Sequence, residues 1–299
     1  MNWPISTEIK HYAGRDIGTP EEDHRHIAAV IRARPPAAIG KIGGTECRVL
    51  NYCERLVQVD WPRQLSWRRA GWQIYELSGV YPYGKETFYR FAEHFRSILG
   101  ECDILAPWFN KGEERLIRKY APQARLMSFP ALSYPPFDPH PAWPAALEGK
   151  RVLLVSPFTE SARQQHARLD QVWPNNPDMR PRYELLTLRT PLYSHLLKEP
   201  VYPDWFAGLE QLSAQMNAMD YDVALVGCGA WGLPLCVNAR RQGKIGIHLG
   251  GVTQLFFGIR GKRWDEYPWL KSVYNDCWIR PSAEEAPQHV DRIESGCYW

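Results

Sequence analysis

The chain has 299 residues, a formal net charge of +3, and 44% hydrophobic and 23% charged residues. That is the make-up of an ordinary folded protein with ample length for a buried core. So slight a basic bias, with no block of Lys and Arg, argues against nucleic acid as a partner. The seven cysteines are scattered, odd in number and never spaced as CxxC, which speaks against a disulfide framework or a zinc site and leaves buried reduced thiols. The start, Met1-Asn2-Trp3-Pro4, lacks a basic segment followed by an apolar run, so no signal peptide is expected. The longest apolar stretch, 224–237, is broken by three glycines and a proline and falls short of the roughly 20 residues that span a bilayer. A cytoplasmic protein without a transmembrane segment is the expectation.

In chain order, the first clear element is a helix from Pro20 to Arg34: Thr19 can cap it, Pro20 suits the first turn, and Glu22 completes a capping box. Pro35-Pro36 ends it. Ala37 to Ile42 reads as a short buried strand, Gly43-Gly44 as a tight turn, and the spacing of Val49, Leu50, Cys53, Leu56 and Val57 as a helix from Thr45. Phe88, Phe91, Phe95, Ile98 and Leu99 share one stripe of a helix over 86–99. A strand over 102–106, a charged helix near 113–120 and a strand over 125–128 follow. Six prolines then fall between Pro130 and Pro144, reading as a linker or irregular loop.

Beyond it the rhythm restarts, with strands over 151–155, 183–188, 222–226 and 244–249 and helices over 159–172, 203–219 and 230–242. Short apolar strands alternating with helices imply a doubly wound, mainly parallel α/β sheet covered on both faces. We expect one domain over 1–299, the proline-rich crossover at 130–144 separating an N-terminal half from a Rossmann-like C-terminal half.

The sharpest local feature is DVALVGCGAWGLPL, a strand entering Gly227-x-Gly229-x-x-Gly232 and then a helix. Glycine there lets the backbone turn tightly and approach a diphosphate, whose charge meets the amides of a helix start. The plain alternative is a turn needed only for close packing of helix on strand. A dinucleotide fold would place Asp or Glu at the end of the next strand to hold ribose hydroxyls. Here the strand ends in His248-Leu249-Gly250-Gly251, which disfavours a nicotinamide-dependent dehydrogenase.

Gly250 and Gly251 offer a second nest of amides, and Arg260, Lys262 and Arg263 could neutralise phosphate or simply form a solvated basic loop. KIGGTE, Lys41 to Glu46, also lies at a strand end, so in a parallel sheet Lys41, Gly43 and Gly44 open onto the same rim. Glu46 could hold a divalent cation or act as a base, or merely occupy a helix start that favours a carboxylate. His248 is a candidate acid/base group or a packed histidine. Among the many aromatics, Trp231 and Trp264 could stack on a sugar or base.

These residues carry a resemblance. An early strand–Gly–x–x–Glu turn paired with a late GxGxxG–helix–strand–Gly unit resembles the bacterial glycosyltransferases of the GT-D fold. Their early motif reads Arg-Phe-Gly-Asp-Gly-Glu, where this chain has Lys41-Ile42-Gly43-Gly44-Thr45-Glu46, and their late strand ends Ile-Asp-Ile-Gly, where it has Ile247-His248-Leu249-Gly250. Over most of its length the chain is similar to GT-D-like bacterial proteins linked to surface-polysaccharide genes. The matching stretches are Ser156-Pro157-Phe158, Gly229 to Leu235, Ile247 to Trp264 with Gln254 inside it, and Gly296 to Trp299.

The resemblance implies transfer of a sugar from a nucleotide-diphosphate donor to the hydroxyl of a glycan, lipid-linked or peptide acceptor. It also implies a divalent cation, Mn²⁺ or Mg²⁺, held by an Asp-x-Glu pair. The Asp of that pair is Gly44 here, so only Glu46 carries over. A non-catalytic nucleotide- or glycan-binding protein is the second expectation.

Overall fold

The computed structural model describes residues 9–56, 67–133, 141–192, 194–286 and 296–299. A two-residue ladder opens it, β1 (His11–Tyr12) against β2 (Arg15–Asp16). Helix α1 (Pro20–Ala33) starts as its sequence predicts: Thr19 Oγ1 accepts from the Glu22 amide, and the Glu22 carboxylate accepts from the Thr19 amide. Strand β3 (Ala37–Gly40) and helices α2 (Gly44–Leu56), α3 (Trp67–Ser78) and α4 (Lys85–Leu99) follow. The aromatic stripe of α4 is buried, as amphipathic spacing requires.

Strand β4 (Ile104–Leu105), helix α5 (Glu113–Tyr120), strand β5 (Arg125–Leu126) and helix α6 (Phe129–Ser133) complete the first half. The proline-rich stretch is thus not a plain linker where it is described. Pro130 lies within α6, a 3₁₀ turn spans Trp143–Leu147, and 134–140 lie outside the described residues.

The second half holds β6 (Arg151–Ser156), α7 (Thr159–His166), α8 (Leu169–Val172), β7 (Glu184–Arg189), α9 (Trp205–Asn217), β8 (Val223–Val226), α10 (Gly232–Arg241) and β9 (Ile245–His248). The single helix expected over 159–172 is interrupted at residues 167–168, where the chain turns. After β9 come three one-turn helices, α11 (Thr253–Phe256), α12 (Lys262–Asp265) and α13 (Pro268–Lys271), none of which the hydrophobic pattern announces.

Among the described residues seven strands form one sheet in the order β5-β4-β3-β9-β8-β6-β7, every pairing parallel. It is a doubly wound, Rossmann-like α/β sheet, and it runs unbroken across the two halves of the chain. Alternate side chains feed two cores. Val152 and Leu154 of β6, with Val223 and Leu225 of β8, pack with α1, α7 and α8 on one face. Leu153, Val155, Ala224 and Val226 pack with α2, α4, α9 and α10 on the other. Six of the seven cysteines are buried and all are free thiols.

The register levels the strand ends. Val155 sits beside Val226, and Val226 beside His248, so the segments after β6, β8 and β9 leave the sheet at one edge. From β6 the chain crosses to β7 through α7 on one face, and from β8 it crosses to β9 through α10 on the other. Adjacent parallel strands whose connections diverge leave a crevice at their carboxyl ends, where doubly wound proteins bind ligands. Here that point is β6/β8. No helix among the described residues is long and apolar enough to cross a membrane.

Candidate functional site

A cleft of about 680 Å³, including its solvent-open mouth, lies at this edge. It is lined by Ser156–Phe158 after β6, Thr190–Leu192 after β7, Gly227–Gly229 after β8 and Gly250–Gly251 after β9. The end of α3, with His195, Gln254 and Tyr298, closes it. None of the described lining residues is Asp, Glu, Lys or Arg.

The two glycine turns are packed on each other. A side chain at Gly227 would run into Thr253 Oγ1 and come within 2.5 Å of the Gly250 carbonyl oxygen. Gly229 and Gly250 hold φ values of +62° and +65°, a region side-chain-bearing residues rarely adopt. After Gly229 one 3₁₀ turn (Gly229–Trp231) runs straight into α10, and neither start carries a side-chain cap. The 3₁₀ turn at Gly250–Val252 is likewise uncapped by any side chain. Orphan amides at such a start suit an anion. Gly232 serves another purpose: a Cβ there would collide with the His248 ring, so this glycine seats α10 on the end of β9.

Lys41 stands behind the Gly250 turn. Its side chain is only 7% exposed, donates to Ser133 Oγ at 2.8 Å and to the Leu249 carbonyl at 3.1 Å, and lies 5.0 Å from the Phe129 ring centre and 5.8 Å from that of Trp108. Among the described residues no carboxylate pairs with it. Burial, and secondarily the nearby Arg263 charge, pulls its pKa down to about 7. A buried cation without a counter-charge is costly, and an anion at the adjacent glycine turn would supply one. His248 is also buried. Desolvation first, then the Lys41 charge, pushes its pKa down to about 3, and among the described residues its Nδ1 has no hydrogen-bond partner. It is a neutral imidazole set into the wall between Gly40 and Gly232, not a lining residue of the cleft.

The three cations after β9 diverge. Arg263 turns to the site: its Nη1 donates to the Tyr298 hydroxyl at 3.2 Å and lies 3.4 Å from where a Gly251 Cβ would be. Arg260 turns aside, its guanidinium 4.6 Å from the Tyr274 ring centre and paired with Asp265 at 3.5 Å. Lys262 is exposed, and its amide donates to the Trp299 carbonyl. Gln254 is buried and ties the chain end to the cleft, donating to the Tyr298 carbonyl at 3.1 Å and accepting from the Trp264 indole at 3.3 Å. Trp231 lines the cleft while its indole donates to the Trp205 carbonyl at 2.9 Å. Trp264 is buried and does not line it.

Glu46, in the first turn of α2, folds back over Gly43, where a Cβ would strike its carboxylate. It is buried, accepts from Thr45 Oγ1 at 2.9 Å, and has its carboxyl pKa raised by desolvation, partly offset by its own amide and by the Thr45 and Ser78 hydroxyls. It does not line the cleft; Ser78 does. Gly44 faces Asn110. The cation implied by the resemblance would need several oxygen ligands. Around Glu46 the donors are one carboxylate and two hydroxyls, and among the described residues no three His, Cys, Asp or Glu side chains gather as a metal-binding group. These residues do not make a donor set for Mn²⁺ or Mg²⁺, and no step is assigned to a metal.

Residues that sequence reasoning passed over include Ser78, Thr190 and His195. Thr190 lines the cleft, is buried, and among the described residues its Oγ1 has no hydrogen-bond partner. A strand-end position was its only signal. A second hollow, about 940 Å³ with its open mouth, lies between the end of α8 and α13 and is lined by neither glycine turn. In comparisons with protein-family models, curated proteins and solved structures, the chain matches none.

Proposed function

We propose that the cleft binds a nucleotide-diphosphate sugar and that the protein transfers the sugar to an acceptor hydroxyl, as a glycosyltransferase of the cytoplasm serving glycan or surface-polysaccharide synthesis. One observation carries the reading: the Gly227–Gly229 and Gly250–Gly251 turns, on neighbouring strands, line one cleft at the point where the sheet's connections diverge. The uncapped turn that leads into α10, and the buried Lys41 behind the Gly250 turn, add amide donors and positive charge suited to a diphosphate. Neutral polar residues around them, Ser156, Thr190 and Tyr298, suit the hydroxyls of a sugar. No carboxylate stands among the described lining residues to hold a ribose diol as a nicotinamide-dependent dehydrogenase would.

Calorimetric titration with UDP-glucose and GDP-mannose tests the reading. Wild-type protein should bind at least one of them, and Gly229→Val should abolish binding while a thermal melt confirms a folded chain. Equal affinity in both proteins would refute it. That no metal-binding group of His, Cys, Asp or Glu forms around Glu46 among the described residues favours a second reading, a nucleotide- or glycan-binding protein without turnover. Release of nucleoside diphosphate by the purified protein separates the two.

A further inference from the structure

We propose that Ser78 is a catalytic residue of this cleft, its hydroxyl taking the proton of the attacking acceptor and passing its own, through Thr45, to Glu46. The proposal rests on the glycosyl-transfer reading above. It arises from a mismatch of position: the carboxylate expected to act as base is walled off from the cleft, while a hydroxyl that touches its hydrogen-bond partner is not.

Ser78 ends α3 and lines the cleft. Its carbonyl oxygen lies 3.2 Å from where a Cβ on Gly229 would be, so it stands opposite the first glycine turn. Its Oγ is 2.5 Å from Thr45 Oγ1, which in turn donates to Glu46 Oε2 at 2.9 Å. A hydroxyl has one proton to give. Thr45 gives its proton to the carboxylate, so Ser78 donates to Thr45, and the remaining Ser78 lone pairs are available to a donor in the cleft. The three groups form one hydrogen-bonded cluster, and Ser78 is the member of it that lines the cleft. Burial, which raises the Glu46 carboxyl pKa, makes the far end a better proton acceptor than an exposed carboxylate.

The acceptor oxygen bonds to the anomeric carbon while the bond from that carbon to the β-phosphate oxygen breaks, its electron pair leaving with the nucleoside diphosphate. The acceptor proton moves to Ser78 Oγ, the Ser78 proton to Thr45 Oγ1 and the Thr45 proton to Glu46, which returns it to solvent along the same chain after product leaves. With water as acceptor the same step is hydrolysis, yielding free sugar and nucleoside diphosphate.

The test is hydrolysis of UDP-glucose, UDP-galactose and GDP-mannose by the full chain, read as nucleoside diphosphate released. Thr45→Val, Ser78→Ala and Glu46→Gln should each lower kcat about 100-fold or more, in the range of general-base loss, with KM unchanged. Thr45→Ser, which restores the hydroxyl, should recover kcat to within a few-fold. A Thr45→Val enzyme as fast as wild type overturns the proposal. So does a Thr45→Ser enzyme as slow as Thr45→Val, since a packing role would then suffice, and so does a wild type that hydrolyses none of the three. Calorimetry with UDP and GDP tells the failures apart: binding intact with kcat unmoved removes the relay alone, whereas no binding removes the site reading as well.

Discussion

Gly227→Ala puts the contact between the two glycine turns under direct strain. The added methyl would lie 2.5 Å from the Gly250 carbonyl oxygen and run into Thr253 Oγ1, well inside van der Waals distance. The usual escape, rotation of a flexible neighbour, is closed. The carbonyl is backbone, and Thr253 Oγ1 is itself hydrogen-bonded to that same oxygen at 2.5 Å. Overpacking of a close-packed interior costs about 1–3 kcal/mol, and a clash with fixed backbone belongs at the upper end. At about 2–4 °C of Tm per kcal/mol for a domain of this order, the melting temperature should fall by roughly 5–10 °C. Gly100→Ala is the control. Gly100 has an ordinary φ of −66°, a Cβ there would meet nothing nearer than the Tyr120 carbonyl oxygen at 3.4 Å, and its effect should stay within about 1 kcal/mol of wild type. Urea and thermal unfolding of the three proteins measure this. A Gly227→Ala protein as stable as Gly100→Ala would refute the packing of the two turns.

Lys41 should make stability depend on pH in the alkaline range. Its pKa is about 7 in the fold and 10.5 ordinarily, so between those values the unfolded chain holds a proton the fold lacks, and stability rises with pH across that window. Lys41→Met should flatten the rise in urea titrations. Binding of UDP or GDP at pH 8 should draw a proton onto Lys41, seen as a binding enthalpy that varies with the buffer's ionisation enthalpy. His248 acts lower: with a folded pKa of about 3 against an ordinary 6.5, the fold loses stability as pH falls from 6.5 toward 3. His248→Gln should lessen that loss. Thr19→Ala removes the hydroxyl that caps α1 and should cost about 1 kcal/mol in urea unfolding.

The frame of the sheet was readable because its strands are short apolar runs broken by glycine or proline. VALV before Gly227 and IGIH before Leu249 could be little else, and both strands form where expected. The two glycine turns were readable for the same reason. What stayed hidden is whatever depends on direction. Arg260, Lys262 and Arg263 are three of four consecutive residues, yet only Arg263 meets the Gly251 turn, because Asp265 and Tyr274 draw Arg260 away. Glu46 lies at the expected strand end, but its carboxylate folds over Gly43 instead of facing the cleft. Ser78 comes from a segment more than a hundred residues from Thr190 and His195, with no motif joining them, and only the pairing of β6 with β7 and the return of α3 bring them to one cleft. The helix α3 itself escaped notice because the stripe Ala70, Ile74 and Leu77 is sparse and mixed with Trp and Arg.

On the proposed function, one anion is held by amides from both glycine turns. Amide NMR of the ¹⁵N-labelled protein titrated with GDP or UDP tests it residue by residue. Resonances of Cys228–Ala230 and Gly250–Val252 should shift together, along one saturation curve, and Gly229→Val should erase both sets at once. Shifts gathered instead around Trp269, Tyr274 and Asn275, with the glycine turns unmoved, would contradict it.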